Sequence, residues 1–295
     1  MPKEIEVKSI LNKTKRRDHW FLDDYTINMY SSCSFNCLYC YIRGSKYGTN
    51  LEESLSAKIN AIEILERQLF NRAKKGQYGF IVLSSATEPY LKAEAEYQLT
   101  RQALELIRKH KFPVHIITKS DLVQRDFDLL NEIDKTAQLP NDLKGNINSG
   151  TLITFSFSTT DDRIGKIFEK GATAPSDRLK ALEAATKAGF RAGVSMMPLI
   201  PYISDTTESL HEMFSKFKKA GAHYVMPATI SLYGQNKADS KPLMLNAIEK
   251  HFPELLTKYQ KFFTHQNEMP SYYQKAFYQK MKELGQASQL KDRII

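Results

Sequence analysis

Cysteine is scarce in this chain. Only three occur among its 295 residues, all between Cys33 and Cys40. They neither pair evenly nor spread out as a disulfide framework does, so reduced thiolates on a metal are the expected state. Long apolar runs are missing too. No stretch approaches the roughly 18 to 20 residues of a membrane span, and the N-terminal MPKEIEVKSILNKTKRRDHW has basic residues but no apolar signal region. A cytoplasmic chain without a membrane partner is expected. Neither G-x-G-x-x-G nor G-x4-G-K-S/T occurs, so no phosphate-cradling glycine loop is available. The histidines (His19, His110, His115, His211, His223, His251 and His265) include no pair at metal-ligand spacing. No Ser–His–Asp constellation can be assembled, and no internal repeat or low-complexity tract stands out.

What is present suffices for a full core. Apolar side chains make up 42% of a chain long enough for one main domain. The net charge of +9 favours polyanionic partners through long-range attraction and says nothing of fold. Basic residues cluster at Lys13, Lys15, Arg16 and Arg17 and recur along the C-terminal third, so a nucleic-acid substrate is compatible with the charge.

Strand and helix patterns alternate. A first strand is expected near Tyr25–Met29, directly before the cysteines. Asn50 and Glu53 make an N-cap pattern for a helix with Leu55, Ile59, Ile62 and Leu69 at helical spacing, ended by Gly76. Then come a buried strand at Phe80–Leu83, a helix with Leu99, Ala103, Leu106 and Ile107, and a strand at Val114–Ile117. Ser120 or Asp121 can cap a third helix reaching Ile133, and the turn-rich Leu139–Gly150 reads as an exposed loop before a strand at Leu152–Phe157. Pro175 opens a helix closed by Gly189, Arg191–Ser195 is a fifth strand, Asp205 with Glu208 caps a helix ending at Gly221, and Tyr224–Met226 is a sixth strand. Beyond Ser240 only helical segments follow.

This order predicts an α/β fold, a partial (βα)6 TIM-like barrel with a C-terminal helical extension, with a twisted open sheet as the alternative. Residues 1–22 form a basic arm, 23–235 the barrel and 236–295 the extension. In either architecture the loops after the C-terminal strand ends form the ligand face, and the cysteine loop follows the first strand.

Three and then two residues separate Cys33, Cys37 and Cys40. Thiolates are preferred ligands of iron–sulfur clusters, and three of them hold three corners of a cubane while one iron stays open. A structural zinc site needs a fourth protein ligand, which His19, His110 and His115 are badly placed to supply, so zinc is the runner-up and a chance group of buried cysteines the blandest reading.

The cysteine spacing, Tyr39 before the last cysteine and the position after the first strand resemble the radical S-adenosylmethionine (SAM) superfamily. More narrowly, NMYSSCSFNCLYCYIRG, ATEPY (Ala86–Tyr90), ITKSDLVQRDFDLL (Ile117–Leu130), TFSFSTTDD and PLIPYISD (Pro198–Asp205) resemble the spore photoproduct lyase-like branch, also called DNA repair photolyase-like, over residues 23–235. The resemblance implies a 4Fe-4S cluster on Cys33, Cys37 and Cys40 and SAM on the open iron. It implies reductive cleavage to a 5′-deoxyadenosyl radical that abstracts a substrate hydrogen, and an external one-electron donor of flavodoxin or ferredoxin type. A monomer is expected.

The same resemblance places cofactor contacts at strand ends. After strand two, Glu88 can accept from the methionine ammonium with Ala86 and Thr87 beside it, although an acid entering a helix is nearly as good a reading. Lys119 after strand three is implied to pair with the cofactor carboxylate, against a solvated loop charge. Ser156 and Ser158 share one strand face and suit ribose hydroxyls or small barrel fillers. Arg178 is a lesser carboxylate candidate against a surface salt bridge. Tyr39, Met197 and Pro198 complete the wall.

Spore photoproduct lyase has a further cysteine after strand two that returns hydrogen to the product radical; here that neighbourhood is SSATEP. This speaks against thymine-dimer cleavage by the same hydrogen-return route; a tyrosine such as Tyr90, Tyr202 or Tyr233 is the substitute donor, against the commoner packing role of aromatic residues. Three readings follow: a radical enzyme on nucleic acid or nucleotide, a radical enzyme on a peptide or small metabolite, and a non-enzymatic metal or nucleic-acid binding protein.

Overall fold

The computed structural model describes residues 2–44, 55–83 and 86–295. It opens with β1 (Lys3–Ile5), β2 (Asn12–Lys13), β3 (Tyr25–Ile27), β4 (Tyr30–Ser31) and β5 (Ser56–Lys58). There follow α1 (Ala61–Lys74), β6 (Ile81–Leu83), α2 (Glu94–Tyr97), α3 (Leu99–Lys109), β7 (Val114–Thr118), α4 (Phe127–Thr136) and β8 (Thr151–Ser156). Next come α5 (Asp162–Phe168), α6 (Pro175–Lys187), β9 (Arg191–Leu199), α7 (Thr207–Lys219) and β10 (Val225–Thr229). Three last helices are α8 (Ser240–His251), α9 (Leu256–Phe263) and α10 (Ser271–Ser288).

The main sheet has the order β10-β9-β8-β7-β6-β3-β2, and its neighbours from β3 to β10 are all parallel. This is the chain order of a barrel. Among the described residues its two end strands do not pair with each other, so the expected partial (βα)6 architecture is found with the ring open. β2 lies antiparallel on β3, and β1, β5 and β4 make a small second sheet. Parallel strands covered by helices on one side and a barrel interior on the other are buried on both faces, and every residue of β6 and of β8 is buried, the polar Thr151, Thr154 and Ser156 included. Along β8, Ile153 and Phe155 pack outward under the helices, whereas Leu152 turns inward to Phe80, Tyr224 and Met226 on the barrel floor.

A polar chain crosses that floor. His115 Nδ1 lies 2.8 Å from the Phe21 carbonyl and Nε2 2.6 Å from Thr154 Oγ1, while Thr154 Oγ1 lies 2.7 Å from the Tyr224 hydroxyl. The carbonyl can only accept, so Nδ1 carries a proton, and in the neutral ring Nε2 accepts from the Thr154 hydroxyl. Burial pulls His115 down from 6.5 to about 4. Between those values the unfolded chain takes up a proton that the folded chain refuses, so stability is full above about pH 6.5 and falls as pH drops towards 4. The difference, 6.5 less 4, corresponds to about 3 kcal/mol. Urea midpoints measured across this range should fall for the wild type, and His115→Gln should remove most of that slope.

Several boundaries differ from the sequence reading. Asn50 and Glu53 lie outside the described residues. Ser56–Lys58 is a strand, and the helix begins only at Ala61, because the Asn60 amide pairs with both backbone groups of Val7 (2.9 and 3.1 Å) and ends the extended run there. The third helix is preceded by a 3-10 turn, Asp121–Asp126, capped by the Ser120 hydroxyl. Thr206, not Asp205, caps α7 by accepting from the Ser209 N–H. The short α5, capped by Asp161, was not anticipated. Among the described residues no helix is long and apolar enough to cross a membrane.

Candidate functional site

The cysteine loop follows β3 and β4 at the C-terminal end of the barrel. It turns through two left-handed residues, Ser32 (φ 67°) and Asn36 (φ 54°). Backbone bonds pin it: the Leu38 N–H donates to the Phe168 carbonyl (2.9 Å), the Gly171 N–H donates to the Phe35 carbonyl (2.9 Å), and buried Arg43 donates through Nε to the Cys37 carbonyl (3.1 Å). Gly171 is required here, since a Cβ would fall 2.5 Å from the Ser34 oxygen. Burial pushes the Cys33 thiol up and the Cys37 thiol up to about 12.

All three cysteines line one cavity of about 410 Å³ at the strand ends. Seven of the nine predicted cofactor contacts line it as well: Tyr39, Ala86, Thr87, Glu88, Lys119, Ser156 and Met197, with Pro198 beside them. Glu88 is buried, and its carboxylate accepts from the Thr118 hydroxyl (2.5 Å), the Tyr90 N–H (3.0 Å) and the Lys119 N–H (2.9 Å). Burial raises its pKa and these donors oppose the rise. It is therefore no loose helix-entry acid. Lys119 extends over the Tyr39 ring, Nζ 5.8 Å from the centroid. Asn28, at the end of β3, accepts from the Thr87 hydroxyl at 3.1 Å.

Ser158 and Arg178 do not line the cavity. Ser158 lies past the end of β8, and Arg178 is fully buried, which overturns the surface salt-bridge alternative. Both converge on Glu169, a residue that nothing in the sequence singled out. The Glu169 carboxylate accepts from the Tyr39 hydroxyl, from the Ser158 hydroxyl (3.0 Å) and from Arg178, which also donates to the Ser156 carbonyl. Burial alone would raise Glu169, but Arg178, Lys119 and the Tyr39 phenol hold it below the ordinary carboxylate range. A closed ionic hub thus backs the cysteine loop.

The proposed hydrogen-return tyrosines also sit elsewhere. Tyr90 is buried, Tyr202 is on the surface, and neither they nor Tyr233 lines the cavity, whereas Tyr41 does. Phe21, Asp23, Thr229 and Ser231 line it too. Thr229 and Ser231, which end and follow the last parallel strand, were findable by the strand-end rule; Phe21 and Asp23 enter from the N-terminal segment without a sequence signal.

The donor set fits a cubane. Three soft thiols line one cavity, with no fourth cysteine in the chain. Among the described residues no three His, Cys, Asp or Glu side chains converge as ligands of one ion do; cubane thiolates bind separate irons and need not converge.

The chain is similar to an uncharacterized protein of Mycobacterium tuberculosis, 25% identical over 95% of this chain and 79% of the relative. It is also similar to the radical SAM Nalpha-GlyT isomerase of Pseudomonas phage M6, 22% identical over 79% of this chain and 44% of the relative. Among solved structures, spore photoproduct lyase complexed with dinucleoside spore photoproduct shares the fold with a TM-score of 0.65 at 14% identity, over 96% of this chain and 78% of the other. The profile of the radical SAM superfamily matches residues 27–217. With that match spanning the cysteine loop and the barrel strands from β6 to β9, the chain belongs to the radical SAM superfamily and is an enzyme.

Proposed function

We propose that Cys33, Cys37 and Cys40 hold a 4Fe-4S cluster, that the chain cleaves SAM reductively beside it, and that its substrate is a nucleic acid or nucleotide. The observation that carries this is the sharing of one cavity by the three thiols, Glu88, Lys119 and Ser156. The family implies both cofactors and an electron donor; we take the donor to be of flavodoxin or ferredoxin type, residues 23–235 to be the catalytic body, and the enzyme to be a cytoplasmic monomer. When bound, the cluster supplies one electron that breaks a carbon–sulfur bond of SAM to give a 5′-deoxyadenosyl radical.

The chain's own residues bind and orient. Lys119 offers its ammonium to the SAM carboxylate. Glu88, with three of its roughly four acceptor positions filled, keeps one for the SAM ammonium. Ser156 faces the ribose, and Met197 with Pro198 walls the adenine. Ser158 and Arg178 act through Glu169 on the Tyr39 phenol. Phe35, Val82 and Ile117 line the same space and keep water from it. The net charge of +9 and the likeness in fold to a lyase solved with a dinucleoside support the nucleic-acid reading.

Anaerobic reconstitution with iron and sulfide, then dithionite and SAM, should yield 5′-deoxyadenosine. A cluster-loaded protein that yields none would remove the reading. Lys119→Ala should weaken SAM binding by roughly 10- to 100-fold, the loss expected of a charged hydrogen bond, in anaerobic calorimetry.

A further inference from the structure

On the same face of the barrel, β9 leaves the cavity at Pro198, and the loop that follows it meets the C-terminal helices in a cluster of aromatic rings. Tyr202 is in the left-handed region (φ 61°), uncommon for a bulky side chain, and stays 42% exposed. Its ring lies parallel to Phe262 of α9, centroids 6.0 Å apart and planes 7° apart. Lys258 Nζ stands 4.5 Å from the Tyr202 centroid. Tyr273 meets both Tyr202 and Phe262 edge-on, and its neighbour Tyr272 is 68% exposed.

A capping cluster that only sealed the core would bury these rings. Here two phenols remain outside while the backbone holds one of them in an unfavourable conformation. The Tyr202 N–H donates to Asp205 Oδ1 at 2.6 Å, and the Tyr273 hydroxyl donates to Asp205 Oδ2, so both oxygens of this carboxylate are engaged within the cluster. Lysines outnumber acids on both helices: α9 has Lys258 and Lys261 with no acid, and α10 has Lys275, Lys280 and Lys282 against Glu283.

We infer that Tyr202, Tyr272 and Lys258 form a platform on which a base of single-stranded nucleic acid stacks while its phosphate meets the lysine, holding the strand that runs into the cavity. Flat rings beside cations are what such a strand recognises, because every base has a π-face and every link a charge. An acidic protein would use the charge and not the rings. This rests on the nucleic-acid reading above and adds where the strand lies.

The test is binding of a short fluorescein-labelled oligothymidylate, followed by anisotropy against salt. Tyr202→Asn, whose new residue tolerates the left-handed backbone, and Tyr272→Ala should each weaken binding by about 5- to 100-fold, the range for losing one stacked base. The salt slope should stay unchanged in both, because rings release no counterions, whereas Lys258→Ala should reduce it by about one. Melting temperature is followed in each variant so that unfolding is not scored as lost binding. Wild-type binding that is indifferent to Tyr202 and Tyr272, or abolished by polyglutamate as readily in the variants as in the wild type, overturns the platform alone. No binding of oligothymidylate, RNA or duplex by wild type that still makes 5′-deoxyadenosine overturns both the platform and the nucleic-acid substrate.

Discussion

Glu169→Ala should cost the fold about 3 to 5 kcal/mol, the expense of stranding one member of a buried ion pair. Arg178 has no exposed side-chain surface, Glu169 has 1%, and water cannot replace the lost carboxylate. The guanidinium would keep the Ser156 carbonyl as an acceptor, and the hydroxyls of Tyr39 and Ser158 would lose theirs. Thermal melts of the metal-free protein should drop by roughly 10 °C. Removing both charges with apolar residues of similar volume, Glu169→Leu with Arg178→Met, should recover much of the loss, since two desolvation penalties vanish together. A Glu169→Ala melt within about 2 °C of wild type would show that the hub does not hold the fold.

Cys37→Ala should do the opposite, sparing the fold and ending the chemistry. The loop is held by backbone and arginine contacts that do not involve the sulfur, among them Leu38 to Phe168, Gly171 to Phe35 and Arg43 to the Cys37 carbonyl. Circular dichroism and the melting temperature of the metal-free protein should stay near wild type. Iron bound after reconstitution should fall well below the roughly four per chain of a full cubane, and 5′-deoxyadenosine should drop at least about a thousandfold. Product at more than about a tenth of the wild-type rate would remove Cys37 from the ligand set.

The contrast between Cys37 and Glu169 also marks what could be read from the chain. The shared cavity of the cysteines, Glu88 and Lys119 was legible because the signal is local: a thiol spacing, or a charge just past an apolar run that ends at the ligand face. The six parallel strands were legible for the same reason, as apolar segments such as Ile81–Leu83 and Val114–Thr118 bounded by turn residues. Glu169 was not, because an acid at a helix end beside lysine reads as a solvated surface residue. Only its tertiary partner Arg178, reached through the return of the chain into α6, makes it a buried anion. Ser158 failed similarly: the period of two held along β8, but the strand stops at Ser156 and the backbone turns. The late start of α1 depended on Asn60 pairing with Val7, a contact across the N-terminal segment that no window of neighbouring residues contains.

The carboxylate of Glu88 accepts a hydrogen bond from the backbone N–H of Lys119, so the acid and the base proposed for the amino and carboxylate groups on the methionyl α-carbon hang from one scaffold. Trimming either will disturb the other's placement. In a double-mutant cycle on SAM affinity, the losses from Glu88→Ala and Lys119→Ala should fall short of summation, with a coupling of about 0.5 to 3 kcal/mol. On the proposed roles, the pair would meet the amino and carboxylate groups of one ligand as a unit, and no division of that affinity between two residues would have separate meaning.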